Sequence, residues 1–105
     1  MKACVILCTY NEADNIARVL SGLSNYDVVV VDDSSPDGTG EICKKFANVT
    51  VITRPPKSGI ASAYFDGFDY VLGLKKYDFI VQMDAGMTHR PEDVPHMLEF
   101  AAING

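Results

Sequence analysis

No stretch of this sequence approaches the roughly 18 consecutive apolar residues of a membrane span, and Met1-Lys2 leads into a strand pattern rather than a signal peptide. The expectation is a chain without a membrane span, located in the cytoplasm. Cysteine is sparse and oddly counted: Cys4, Cys8 and Cys43 lack CxxC spacing, which reads as buried free thiols in a reducing compartment ahead of a redox or metal role. Positive charge is scarce as well, with 9 Lys and Arg against 14 Asp and Glu and no basic cluster longer than Lys44-Lys45 or Lys75-Lys76. The resulting net charge of -5 argues against a nucleic-acid surface, while a single small nucleotide site needs no basic field. With 105 residues there is room for one core and no separate second domain, and 48% hydrophobic against 22% charged residues is the balance of a folded chain.

What is present is organised around Val28-Val-Val-Val-Asp-Asp-Ser-Ser-Pro-Asp-Gly-Thr39. Four β-branched residues end in two carboxylates and a turn, the pattern of a buried strand, Asp27 to Asp32, that delivers Asp32 and Asp33 to its C-terminal edge. In an open α/β sheet ligands bind at that edge. Gly38 permits a tight turn, Pro36 stiffens it, and Thr39 or Asp37 can cap a short helix through Ile42 and Phe46.

The flanking segments repeat the arrangement. Ala3 to Cys8 is a short apolar run, followed by Thr9-Tyr10-Asn11-Glu12; Asn11 and Asp14 resemble a capping box, and Ala13, Ile16, Ala17 and Leu20 share a helical face. A third strand, Val49 to Thr53, ends in Arg54-Pro-Pro-Lys57, where the prolines forbid regular pairing and hold two cations near the edge. Ile60, Tyr64, Phe68 and Val71 form a helical stripe closed by Gly73, with Gly67 suited to close packing and with Asp66 and Asp69 as solvated charges. A fourth strand, Asp78 to Met83, leads to Asp84, a loop through His89, one turn at Pro91 to Val94, and a last helix, Pro95 to Ile103, with Met97, Leu98 and Ala101 inward. Short βα units imply right-handed crossovers and a Rossmann-like open parallel sheet. The first strand is expected between the second and fourth, with the third outside the second.

Thr9-Tyr10-Asn11-Glu12, Asp32-Asp33, Arg54 with Lys57, and Asp84 thus converge at one edge by topology. An aromatic ring covers a base, carboxylates accept from base N–H or ribose hydroxyls, and cations approach phosphate. Cys8-Thr-Tyr-Asn-Glu12 replaces the GxGxxG turn of a dinucleotide fold, GxxxxGK[ST] is missing, and a third strand ending in Thr53-Arg54 is unlike a receiver domain. His89 and His96 have no second ligand at metal spacing and read as loop and surface residues.

Thr9 to Glu12, Val30 to Thr39, Arg54 to Gly59 and Gln82 to Pro95 together resemble the family 2 glycosyltransferases, in particular those that act on dolichyl or other polyprenyl phosphates. The resemblance covers nearly the whole chain. It implies the nucleotide-sugar-binding half of a GT-A domain, an inverting transfer from a GDP- or UDP-linked sugar, a peripheral lipid-phosphate acceptor, and Mg²⁺ or Mn²⁺ at the diphosphate. By the same likeness Thr9, Tyr10 and Glu12 belong to the nucleotide site, Asp33 touches the base, Arg54 or Lys57 lies on the phosphate side, and Asp84 is the first acid of a metal-binding Asp-x-Asp. The second acid is replaced by Gly86 and Thr88 is a weak substitute, so a hard cation loses an oxygen ligand. The chain stops at Gly105, before the region where the family carries its general base. The expectation is therefore a nucleotide-binding half that is weak or inactive alone and that self-associates to cover an open sheet edge. A non-catalytic structural or interaction domain with the same fold is the alternative.

Overall fold

A computed structural model describes residues 2–56 and 59–84. Its elements are β1 (Ala3–Thr9), α1 (Ala13–Ser21), β2 (Asp27–Asp32), α2 (Thr39–Cys43), β3 (Val49–Thr53), α3 (Ile60–Leu74) and β4 (Phe79–Asp84). The strands form one parallel sheet in the order β3-β2-β1-β4, as the crossover argument requires. Lys57, Gly86, Thr88, His89, His96, the turn at Pro91 to Val94 and the helix expected from Pro95 lie outside the described residues.

Strand alternation divides the core in two. Val5, Leu7, Val28 and Val30 face α1 and α2, where Ile16, Val19, Leu20 and Leu23 are wholly buried. Cys4, Ile6, Val29 and Val31 face α3, which contributes Ala63 and Val71. Each fully buried aliphatic side chain stabilises the fold by roughly 1.5–3 kcal/mol, so both helical layers are fixed to the sheet by burial rather than by helix propensity.

Gly67 is what lets α3 lie close. A Cβ there would stand 2.9 Å from Ile6 Cγ2 and 3.3 Å from Val31 Cγ2. The thiols of Cys4 and Cys8 share the α3 face, and burial pushes both up to about 12; Cys43, under α2, is raised to about 11. All three are free cysteines.

Several local expectations change. Asn11 and Asp14 do not cap α1: its N-cap position is Glu12, which makes no side-chain capping bond, and Asn11 takes a left-handed φ of 57°. The inward face is Ile16, Val19 and Leu20, while Ala17 points to solvent, and the helix begins one residue later than a cap at Asn11 would set. α2 ends at Cys43, with Ile42 and Phe46 still packed on the core. Gly73 lies inside α3, and the left-handed residue that ends the helix is Lys75, whose N–H bonds to the carbonyl of Leu72.

Candidate functional site

The register aligns Thr9 with Asp32 across β1 and β2, and Cys8 with Asp84 across β1 and β4, so three strand ends open at one level. Adjacent residues on a strand face opposite ways, and this separates the two carboxylates of Asp32-Asp33.

Asp32 turns to the α1 and α2 side and is saturated. One of its oxygens accepts from the Thr9 and Ser35 hydroxyls at 2.7 and 2.6 Å, and the other from the Ser35 N–H at 2.9 Å. Buried at 3% exposure, it locks β1, β2 and the following turn together. Gly40 leaves room for it, since a Cβ there would meet Asp32 Oδ2 at 3.2 Å. The turn holds Ser34 at a φ of 53°, stabilised by its hydroxyl donating to the Arg54 carbonyl.

The same turn reaches over to α1. The Glu12 N–H donates to Thr39 Oγ1 at 3.0 Å, the Ala13 N–H to Asp37 Oδ2 at 3.1 Å, and the Asn11 N–H to Ser35 Oγ at 2.9 Å. Asp37 thus caps α1 as well as its own turn, where its other oxygen accepts from the Thr39 N–H and hydroxyl. The Thr39 hydroxyl, then the N–H groups of Ala13 and Thr39, hold its carboxyl below the ordinary 3.8. A helix start filled by a protein carboxylate is closed to the pyrophosphate that a dinucleotide fold would place there.

Asp33 turns to the α3 side and meets a cavity of about 110 Å³ lined by Cys8, Thr9, Tyr10, Glu12, Val31 and Ala63 beside it. Of the sequence-derived site residues, this brings Thr9, Tyr10, Glu12 and Asp33 around one space. Thr9 contributes wall rather than a donor, because its hydroxyl is directed to Asp32. Tyr10 is 40% exposed at the rim, as a ring that covers a ligand has to be.

Arg54 is placed differently from an exposed phosphate contact. It is 7% exposed, with Nε 3.2 Å from Asp33 Oδ1, Nη1 3.2 Å from Asp66 Oδ2, and Nη2 donating to Ser62 Oγ at 2.8 Å and more weakly to the Gly59 carbonyl at 3.4 Å. Asp66, read from sequence as a solvated charge, is therefore an ion-pair partner. Ser62 and Asp66 lie four residues apart on α3, a polar pair on one face, and that spacing was the available signal. Asp33 Oδ1 and Arg54 Nη1 are buried, and among the described residues neither makes an aligned hydrogen bond.

Asp84 ends β4 beside this space. Among the described residues no three His, Cys, Asp or Glu side chains are grouped to hold a metal ion, so those residues alone do not assemble one. A larger hollow of about 220 Å³ opens at the opposite edge, where Asp27, Asn48 and Tyr77 are engaged with the protein itself. Tyr77 donates to Asp27 at 2.7 Å, and the Asn48 amide donates to the carbonyls of Leu23 and Tyr26.

The four-stranded parallel sheet with an acidic C-terminal edge beside a cavity sets the fold class, and comparison with known sequences narrows it. Residues 4–105 match the sequence profile described as Glycosyl transferase family 2. The chain belongs to this family. An undecaprenyl-phosphate mannosyltransferase from Micrococcus luteus is 40% identical over 94% of this chain and 44% of its own length. A dolichol-phosphate mannosyltransferase from Pyrococcus furiosus is 40% identical over 100% of this chain and 31% of its own length. The chain thus spans less than half the length of these curated relatives. Among solved structures, S. aureus TarS 1-349 superposes with a TM-score of 0.70 at 26% identity, covering 91% of this chain and 31% of TarS 1-349. Its complex with UDP gives 0.66 at 29% identity, covering 81% of this chain and 27% of that one. The fold is that of GT-A glycosyltransferases. Among the described residues no helix is long and apolar enough to cross a membrane.

Proposed function

We propose that this chain forms the donor-nucleotide half of a family 2 glycosyltransferase that moves a hexose from a GDP- or UDP-linked donor to a polyprenyl phosphate. In that reaction an acceptor phosphate oxygen forms the new bond to the anomeric carbon. The bond from that carbon to the diphosphate breaks, and the nucleoside diphosphate leaves. The observation that carries the reading is the Asp33 carboxylate at the cavity wall: its buried Oδ1 lies against Arg54 Nε, and among the described residues its Oδ2 accepts no hydrogen bond. A base N–H satisfies such an acceptor. In this reading Tyr10 covers the base and Glu12 accepts from the ribose, while the family resemblance assigns Lys57 and Asp84 to the phosphates, where Mg²⁺ or Mn²⁺ would neutralise the leaving group. Among the described residues β3 and β4 each have one strand neighbour, and those edges are the surfaces through which a homo-oligomer would form.

Calorimetry with GDP and UDP tests the site. Wild-type protein should bind at least one of them, and Asp33→Ala should weaken that binding by roughly 1–3 kcal/mol while circular dichroism shows an intact fold. Unchanged affinity in Asp33→Ala would remove the carboxylate from the site. A second reading, a non-catalytic domain that keeps the fold, draws on Gly86 in place of the second acid. It predicts nucleotide binding without product in an assay with polyprenyl phosphate.

A further inference from the structure

The geometry points to Asp66 as a positioning residue of the nucleotide site: acting through Arg54, it keeps an oxygen of Asp33 open to a ligand N–H. This inference rests on the nucleotide reading above and adds to it a residue on α3 that does not line the cavity. One guanidinium lies between two carboxylates, with the Asp33 side chain 10% exposed and that of Asp66 55% exposed. Arginine's most favourable contact with a carboxylate is a two-pronged fork that engages both oxygens. Here the fork is spread. Nε goes to Asp33, Nη1 to Asp66, and Nη2 to Ser62 and the Gly59 carbonyl.

Two consequences follow from that spreading. Arg54 meets Asp33 through Nε alone, 3.2 Å from the buried Oδ1, so Oδ2 retains acceptor capacity. The Arg54 charge nonetheless remains beside it, which makes an ionised Asp33 tolerable in a buried position. Without Asp66 the guanidinium has one carboxylate left to satisfy, and the fork can close on Asp33 and consume the acceptor that the ligand needs. Asp66 thereby favours bases that present a ring N–H, such as uracil and guanine, over bases whose equivalent nitrogen is an acceptor or is blocked.

The test measures discrimination in the full chain, using UDP and GDP against their analogues methylated at N3 of uracil and N1 of guanine. Wild type should prefer the unmethylated nucleotide. Asp66→Asn should reduce that preference roughly three- to fivefold, the scale of a half-exposed ion pair, by weakening the unmethylated nucleotide alone and leaving the melting temperature unchanged. Asp66→Glu should restore the preference. Ser62→Ala, which removes another anchor of Arg54, should lower it in the same direction. Equal weakening of both nucleotides, or an intact preference in both Asp66→Asn and Ser62→Ala, overturns the inference. If Asp33→Ala abolishes the preference while Asp66→Asn preserves it, the base contact stands and the positioning role falls. If wild type shows no preference, both fall.

Discussion

The tight seat of α3 on the sheet can be tested by making the same substitution at two glycines of one helix. At Gly67 an added methyl would lie 2.9 Å from Ile6 Cγ2, 3.3 Å from Val31 Cγ2 and 3.5 Å from Ile6 Cδ1. Ile6 and Val31 are wholly buried and β-branched, so neither can swing aside without leaving its rotamer. Overpacking of this kind costs roughly 1–3 kcal/mol, and the 2.9 Å approach places Gly67→Ala toward the upper part of that range. The gain in helix propensity, about 1 kcal/mol, offsets part of it and leaves a net loss of roughly 1–2 kcal/mol. At Gly73 an added Cβ meets nothing within 4 Å, so Gly73→Ala should instead gain up to about 1 kcal/mol. Urea denaturation followed by circular dichroism reads both, with a melting-temperature change of about 4–8 °C per kcal/mol for a domain of this size. Because α3 also carries Ala63, Ser62 and Asp66, Gly67→Ala should weaken nucleotide binding along with stability. A Gly67→Ala protein as stable as wild type, or shifted equally with Gly73→Ala, would refute the close-packing argument.

Asp37 gives an acid-sensitive cap. Its folded pKa lies below the ordinary 3.8, so its stabilisation is complete above the unfolded value and is lost as pH falls through the lower folded value. The stability difference between wild type and Asp37→Asn should thus be present at neutral pH and close in melting curves taken progressively below pH 3.8; a difference that persists there contradicts the capping role. The thiols of Cys4 and Cys43, buried and raised to about 12 and 11, should react slowly with a thiol reagent until urea unfolds the chain, while half-buried Cys8 in the cavity wall labels first; rapid labelling of Cys4 or Cys43 in the native protein would contradict their burial. For the altered acidic motif, Mn²⁺ should add little to nucleotide affinity in wild type and more in Gly86→Asp, and strong Mn²⁺ coupling in wild type would show that Asp84 needs no second acid.

Much of the fold was legible because its signals are local. Each of four apolar runs ends in a polar residue or turn, which fixes the strands, and the short crossovers fix their order. Once the register places Thr9 beside Asp32, alternation alone assigns Asp32 to the structural latch and Asp33 to the cavity. Two features were not legible in this way. The start of α1 is capped by Asp37 and Thr39, more than twenty residues away, so no box motif around Asn11 could reveal it. Arg54 reads as a surface cation beside two prolines until β3 and α3 are packed together, when Ser62 and Asp66 draw it inward.

These two features together constrain how a nucleotide diphosphate could bind. In the proposed function the base side is preformed: Asp33 is buried, Tyr10 stands at the rim, and the Arg54 guanidinium lies against Asp33. The phosphate side is not balanced in the same way. The start of α1, the usual partner of a diphosphate in a Rossmann-like sheet, already holds the Asp37 carboxylate, and Lys44 on α2 is paired with Glu41 at 3.2 Å. Glu12 and Asp33 meanwhile place negative charge at the ends of β1 and β2. Two further phosphate charges brought there repel these carboxylates unless a cation arrives with them or is supplied by Lys57. The proposed function thus predicts that base recognition and phosphate neutralisation are separable. Nucleoside affinity follows the Asp33 network, and the additional affinity from a diphosphate follows whatever positive charge accompanies it.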